Sequence, residues 1–161
     1  MFEGSRIVLR RLLTRQFRLQ AGFVKETMIT TDNVLNIVPK DKVQGSASVL
    51  FSLGILNSRL ISWFYTGTSM VAQKDDFPQV HISALATLPL PDADKARHDR
   101  MVAMVEQMLD LKQQHATLDA ALDDRRHAVA ERIARLDRDI DLLVYELYGL
   151  TDDEIAIVEG G

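Results

Sequence analysis

Leu118, Leu122, Val129, Ile133, Leu136, Ile140, Val144 and Leu147 follow one another in steps of three and four, interrupted by a polar step at Arg125. A heptad-like stripe sustained over about four heptads is buried most simply by one helix lying along another. The second helix is supplied upstream, where Met101, Val105 and Met108 share a stripe with Lys112, flanked by Val102 and Leu109. A polar passage at 113–117 separates the two runs, which predicts an antiparallel helix pair with its second member starting near Leu118. Acid–base pairs at i, i+4, Glu131/Arg135 and Arg135/Asp139, are expected on the outer faces. Gly149 is a natural helix stop, and Thr151-Asp-Asp-Glu154 reads as a capping box opening a last short helix through Val158.

Before Asp94 the period is different. Ile7, Leu9 and Leu13 alternate with Val8 and Arg10, and Phe17, Leu19, Ala21 and Phe23 alternate with Arg18, Gln20 and Gly22. Both runs have the period of a half-buried strand. A third strand is expected at 34–38, stopped by Pro39, and a fourth short one at 79–82. Between them Val49, Leu53, Leu56, Leu60 and Phe64 form a helical stripe, read either as one helix or as two meeting at Asn57-Ser58. Trp63 and Phe64 are expected in the core, and 66–77 as a polar loop. The fold class is therefore α+β: a small, mostly antiparallel sheet with short helices, then a long-helix pair and a short C-terminal helix. Residues 1–92 form the mixed part, and 93–161 the helical part that packs on it or on a partner.

Several chemistries fall away. There is no cysteine, so disulfide frameworks, zinc ribbons and thiol catalysis are excluded. No apolar run approaches the roughly 18 residues of a membrane span, and Met1-Phe-Glu-Gly-Ser5 is not a secretory leader, so a cytoplasmic location is expected. His81, His98, His115 and His127 are too scattered for a metal site. Asp137, Asp139 and Asp141 have the spacing that starts a calcium loop, but Leu142 and Tyr148 occupy its required glycine and glutamate, so they read as helix surface. Asp75-Asp76 reads as a solvated loop pair, and the acidic 92–94 stretch before Lys95 as the start of a helix. No glycine-rich phosphate loop is present.

Charge gives a positive lead. Residues 1–80 hold ten Lys/Arg against six Asp/Glu, a balance of +4, whereas 81–161 hold nine against 17, a balance of −8. From Arg6 to Lys25 there are six Lys/Arg and no acid. Arg6 and Arg10 should share one strand face, with Arg11 on the other. Such a run suits phosphate contacts, and an arginine there could read guanine in a major groove.

From Leu53-Gly-Ile-Leu-Asn-Ser-Arg-Leu-Ile-Ser-Trp-Phe-Tyr65 onward the chain resembles a known family. It is similar to the C-terminal specificity domain of TaqI-like adenine-specific DNA methyltransferases and fused restriction–modification enzymes. Lys74 with Phe77-Pro78, Leu88-Pro-Leu-Pro91, Ile7-Val-Leu-Arg-Arg11, Asp32-Asn-Val-Leu-Asn-Ile-Val-Pro39 and the Tyr145-Glu-Leu-Tyr-Gly149 ending carry the likeness in order. The resemblance implies a target recognition module that binds double-stranded DNA and directs methylation or cleavage. It also implies a methyltransferase catalytic domain or subunit as partner. The catalytic Asn/Asp-Pro-Pro-Tyr motif and the S-adenosylmethionine loop of the parent enzymes do not occur here, so catalysis and that cofactor are expected only in the partner or a missing domain. A fragment, truncated form or separately encoded module is expected.

On that reading Arg6, Arg10, Arg11, Arg15, Arg18, Lys25, Arg59 and Lys74 are candidate phosphate contacts, and Asn57, Ser58 and the Lys74 loop candidate base-edge contacts. No catalytic or metal-binding residue is assigned. The alternatives are half of a type I specificity subunit, whose helices would bind methyltransferase subunits, and a helical interaction module without DNA binding. In the latter the helix pair could self-associate. A stand-alone nuclease is the weakest alternative.

Overall fold

The computed structural model describes residues 4–13, 16–38, 46–68 and 79–160. Three strands, β1 (Arg6–Arg10), β2 (Ala21–Val24) and β3 (Val34–Ile37), form an antiparallel sheet in the order β2-β1-β3. Ile7 is opposite both Phe23 and Ile37, and Leu9 opposite both Ala21 and Leu35. These six side chains make the core face of the sheet, and Ile7 and Leu9 are fully buried. Each of those two contributes about 1.5–3 kcal/mol of apolar burial.

The second strand is shorter than the alternation predicts. Phe17 has φ 55° and is exposed, so the segment turns before it can pair. Before β2, Leu19 N–H donates to the Ser62 hydroxyl instead of to a strand. Gln79 makes only an isolated bridge to Leu12, with Val80 N–H donating to the Arg11 carbonyl at 2.7 Å. The predicted strand at 79–82 is absent, because Ile82 already opens a helical turn, α3 (Ile82–Leu85). Tyr65 fixes this segment: its hydroxyl donates to the Gln79 carbonyl and accepts from His81 N–H.

The central helical stripe is two helices, α1 (Ser46–Asn57) and α2 (Arg59–Thr68), meeting at Ser58. Residues 66–68, expected in a loop, extend α2, and Trp63 stands 46% exposed rather than in the core. α1 crosses α4 (Lys95–Ala120) at Gly54, where an added β-carbon would lie 2.5 Å from Met101 Sδ and 3.0 Å from Val105 Cγ2. A glycine inside a helix costs roughly 1 kcal/mol relative to alanine. Here it permits the close approach that places fully buried Met101 under the sheet-bearing half.

α4 runs straight through the predicted polar passage, since Lys112, Gln113 and Gln114 are good helix formers. The turn comes later, at Leu122, with φ 53° and 79% exposed. Leu118 therefore belongs to α4, Leu122 to the turn, and α5 (Arg125–Tyr148) starts at Arg125. The Asp123 carboxylate accepts from Arg125 N–H at 2.9 Å and from its guanidinium, which holds Asp123 down at about 2. This local acceptor overrides the stripe in setting the start of the helix.

The rest of the stripe is buried as expected: Val129, Leu136, Ile140 and Val144 join one core with Ile7, Leu9, Met101 and Val105. The helix seam thus closes within one chain. Arg126–Asp119 at 3.8 Å and Arg97–Glu146 at 2.9 Å tie α4 to α5 near opposite ends of the hairpin. The expected Glu131/Arg135 and Arg135/Asp139 pairs are not among the ion pairs of the described residues. Gly149 ends α5 at φ 66°, and the Thr151–Glu154 capping box opens α6 (Asp152–Glu159).

Candidate nucleic-acid interface

Alternation along β1 points Arg6, Val8 and Arg10 away from the core face. Their fates differ. Arg6 is fully buried: its Nε donates to Asn36 Oδ1 at 3.2 Å, and its Nη1 to the carbonyls of Glu26 at 2.9 Å and Gly4 at 3.3 Å. A guanidinium so enclosed organises the end of the sheet and cannot meet a phosphate without unfolding it. Arg10 is exposed, its Nη1 3.3 Å from Gln20 Oε1. Arg11 is half-buried and donates to the Asp32 carbonyl at 3.2 Å. Lys25 is exposed just beyond β2, its ammonium 5.5 Å from the centre of the Phe23 ring. Because β1 and β2 are antiparallel, Lys25 and Arg10 mark opposite ends of the sheet, roughly 15 Å apart by strand rise.

Arg18 is partly buried and tied to neighbouring elements. Its Nη2 donates to the Asn57 carbonyl at 2.7 Å, and the guanidinium lies 3.7 Å from Asp137 and 4.0 Å from Asp141. Asn57 and Ser58 are structural for an equally specific reason. β2 is an edge strand, and since Arg10 N–H bonds the Gln20 carbonyl, the pairing register turns the backbone groups of Ala21 away from β1. The Asn57 amide meets them as another strand would: Oδ1 accepts from Ala21 N–H at 2.8 Å, and Nδ2 donates to the Ala21 carbonyl at 3.0 Å. Two residues earlier, Leu19 N–H donates to Ser62 Oγ at 3.1 Å. Ser58 is buried; its hydroxyl donates to the Ile55 carbonyl at 2.7 Å and accepts from Ile61 N–H at 3.2 Å. An amide and hydroxyl bound in this way close a sheet edge and join two helices, so a base-edge role would require giving up these bonds.

Asp141 completes the junction, and the sequence pattern misplaces it on the helix surface. It is 5% exposed, and its carboxylate accepts from Arg59 N–H at 2.7 Å, one of the orphan donors of the first turn of α2. Burial pushes this carboxyl above its ordinary value; the Arg59 N–H and the Arg18 charge pull it partly back. The signal that could have found it is its place between Ile140 and Leu143-Val144, on a stripe that must be buried. The Arg59 side chain is partly exposed at the start of α2, beside Trp63.

Of the described cations in the predicted set, Arg10 and Lys25 face solvent and Arg11, Arg18 and Arg59 do so in part, with Arg18 already held by the Asn57 carbonyl and facing two carboxylates. Arg15 and Lys74, and with Lys74 the Phe77-Pro78 pair, lie outside the described residues. Among the described residues, no three His, Asp or Glu side chains come together as metal ligands, and no helix is long and apolar enough to cross a membrane.

Comparison with known proteins matches residues 1–90 to the family described as the TaqI-like C-terminal specificity domain. The match takes in all three strands, α1, α2 and α3, and ends before α4. A protein of Methanocaldococcus jannaschii with the provisional name of a type II restriction enzyme and methyltransferase is 36% identical over 92 residues. That alignment covers 53% of this chain and 7% of the other protein, so the chain matches a small part of a much longer relative.

Proposed function

Because the chain belongs to the TaqI-like C-terminal specificity domain family, we propose that it is a DNA sequence-recognition module of a restriction–modification adenine-specific DNA methyltransferase. It binds duplex DNA and directs where a catalytic domain or subunit methylates or cleaves. The family match over the sheet-bearing half carries this reading, because that half also holds the basic run from Arg6 to Lys25. Catalysis and S-adenosylmethionine belong to the partner on this reading, and the module works in the cytoplasm, where that partner meets DNA.

Arg10 and Arg11 at one end of the sheet, Lys25 at the other and Arg59 on α2 are the phosphate-contacting set. Each guanidinium or ammonium that neutralises a phosphate releases a counterion, so affinity falls with salt. Arg6 leaves this set because its guanidinium is enclosed, and Arg18 because its guanidinium is held by the Asn57 carbonyl and faces the Asp137 and Asp141 carboxylates. Arg6 and Arg18 set the geometry from which the others act.

The test is the salt dependence of duplex binding by an Arg10→Ala/Arg11→Ala double variant. Its log–log slope should flatten by up to about two ions relative to wild type, with weaker binding on all sequences. An unchanged slope would remove both residues from the DNA surface. Circular dichroism of the same samples checks that the Arg11–Asp32 contact is dispensable for folding.

A further inference from the structure

Phe17 combines two features that folding alone does not favour. It holds a left-handed backbone at φ 55°, and its ring is 52% exposed. A residue with a β-carbon pays strain in that region, about 1 kcal/mol or more, and such outliers gather where a ligand is handled. Across a cleft of about 490 Å³ stands Trp63, the sole tryptophan, 46% exposed and one helical turn beyond Arg59. Arg18 and Glu159, the latter at the end of α6, also line the cleft, and Glu159 Oε1 accepts from the Tyr145 hydroxyl at 3.4 Å. Neither aromatic ring stacks on another among the described residues.

Two exposed aromatic side chains beside the Arg59 and Arg18 guanidinium groups suit nucleic-acid bases, which stack on aromatic rings while the backbone is held by charge. The Glu159 carboxylate argues against an anion inside the cleft. It suits instead the N–H edge of a base, for which a carboxylate is an acceptor. We propose that the cleft between Phe17 and Trp63 takes an unstacked nucleobase of bound DNA, with Arg59 on the adjoining phosphate. The inference rests on the DNA-binding reading above and adds a site to it. The turned-out Phe17 is then the stacking platform, and its backbone strain is retained because a ring is needed at that point.

Trp63, as the single tryptophan, reports on the cleft directly. The full chain is titrated with two labelled duplexes of about 30 base pairs, one fully paired and one with a single extrahelical base at its centre, following Trp63 fluorescence and DNA anisotropy. The bulged duplex should bind about tenfold more tightly, as expected for one stacked base, and should quench Trp63 more strongly. Phe17→Gly, which relieves the left-handed strain, should abolish that preference without lowering the thermal midpoint. Trp63→Ala, read by anisotropy, should do the same.

Equal affinity for the two duplexes with no bulge-specific quenching would overturn the proposal while leaving duplex recognition intact, as would a preference that survives in both variants. Failure to bind either duplex, unchanged when a methyltransferase catalytic subunit is added, would overturn both readings.

Discussion

Asn57→Ala is expected to lower the free energy of unfolding by about 2–3 kcal/mol, because it strands the N–H and carbonyl of Ala21 at a partly buried sheet edge. Both groups have a backbone partner only if another strand is present, and here the Asn57 amide substitutes for that strand. The substitution also leaves the turn between α1 and α2 without its anchor on the sheet. Urea denaturation followed by far-ultraviolet circular dichroism measures the change. A loss under about 0.5 kcal/mol, within the range of an ordinary surface substitution, would free Asn57 for a base contact and undo the structural assignment.

Asp141→Ala should cost about 3 kcal/mol, since it leaves the Arg59 N–H without its acceptor and removes a charge partner of Arg18. Asp141→Asn retains a carbonyl oxygen that can accept from Arg59 N–H and avoids burying a charge, so its cost should stay within about 1 kcal/mol. The pH dependence has a definite sign. Burial raises the Asp141 pKa in the folded chain, so its stabilising contribution is present below the ordinary carboxylate value and lost as pH rises through the raised one. Asp141→Asn carries no such titration and should therefore gain on wild type between acid and neutral pH. The Asn57 amide and the Asp141 carboxylate anchor the same α1–α2 turn, at 57 and 59, so the two alanine substitutions should not add. Denaturation of the single and double variants across pH measures all of this; a parallel pH profile for wild type and Asp141→Asn would contradict the account.

The sequence is most legible where one local rule acts alone. The Thr151–Glu154 capping box, the Gly149 stop, the buried Ile140 and Val144 and the paired strands around Ile7 and Leu9 all follow from periodicity or cap chemistry. It is less legible where a side chain takes the place of a backbone partner. The alternation from Phe17 to Phe23 is a sound strand pattern, yet Ser62 and Asn57 capture its edge, and only 21–24 pair with β1. Likewise Asp123 starts α5 by accepting from Arg125 N–H, so a stripe continuous in sequence is divided between two helices.

For the candidate site the difficulty is different. A run of arginines in sequence does not distinguish a guanidinium that faces solvent, as at Arg10, from one that bridges buried carbonyls, as at Arg6, or one held by a carbonyl and carboxylates, as at Arg18. The same holds for Asn57-Ser58, whose family resemblance is genuine but whose bonds are internal. Conversely, Phe17 and Trp63 read as strand and core residues, because a left-handed turn and an outward helix face leave no mark in hydrophobic periodicity. Long-range partners decide these cases, and they become visible only once the chain is folded.

The proposed binding of duplex DNA by the charge-bearing surface is measured by fluorescence anisotropy of the wild-type chain on a mixed-sequence duplex of about 30 base pairs over a salt series. The expected log–log slope is several ions, roughly −0.9 for each phosphate neutralised, with the Arg10, Arg11, Lys25 and Arg59 set contributing up to about four. A flat response, with or without an added methyltransferase catalytic subunit, would contradict duplex binding.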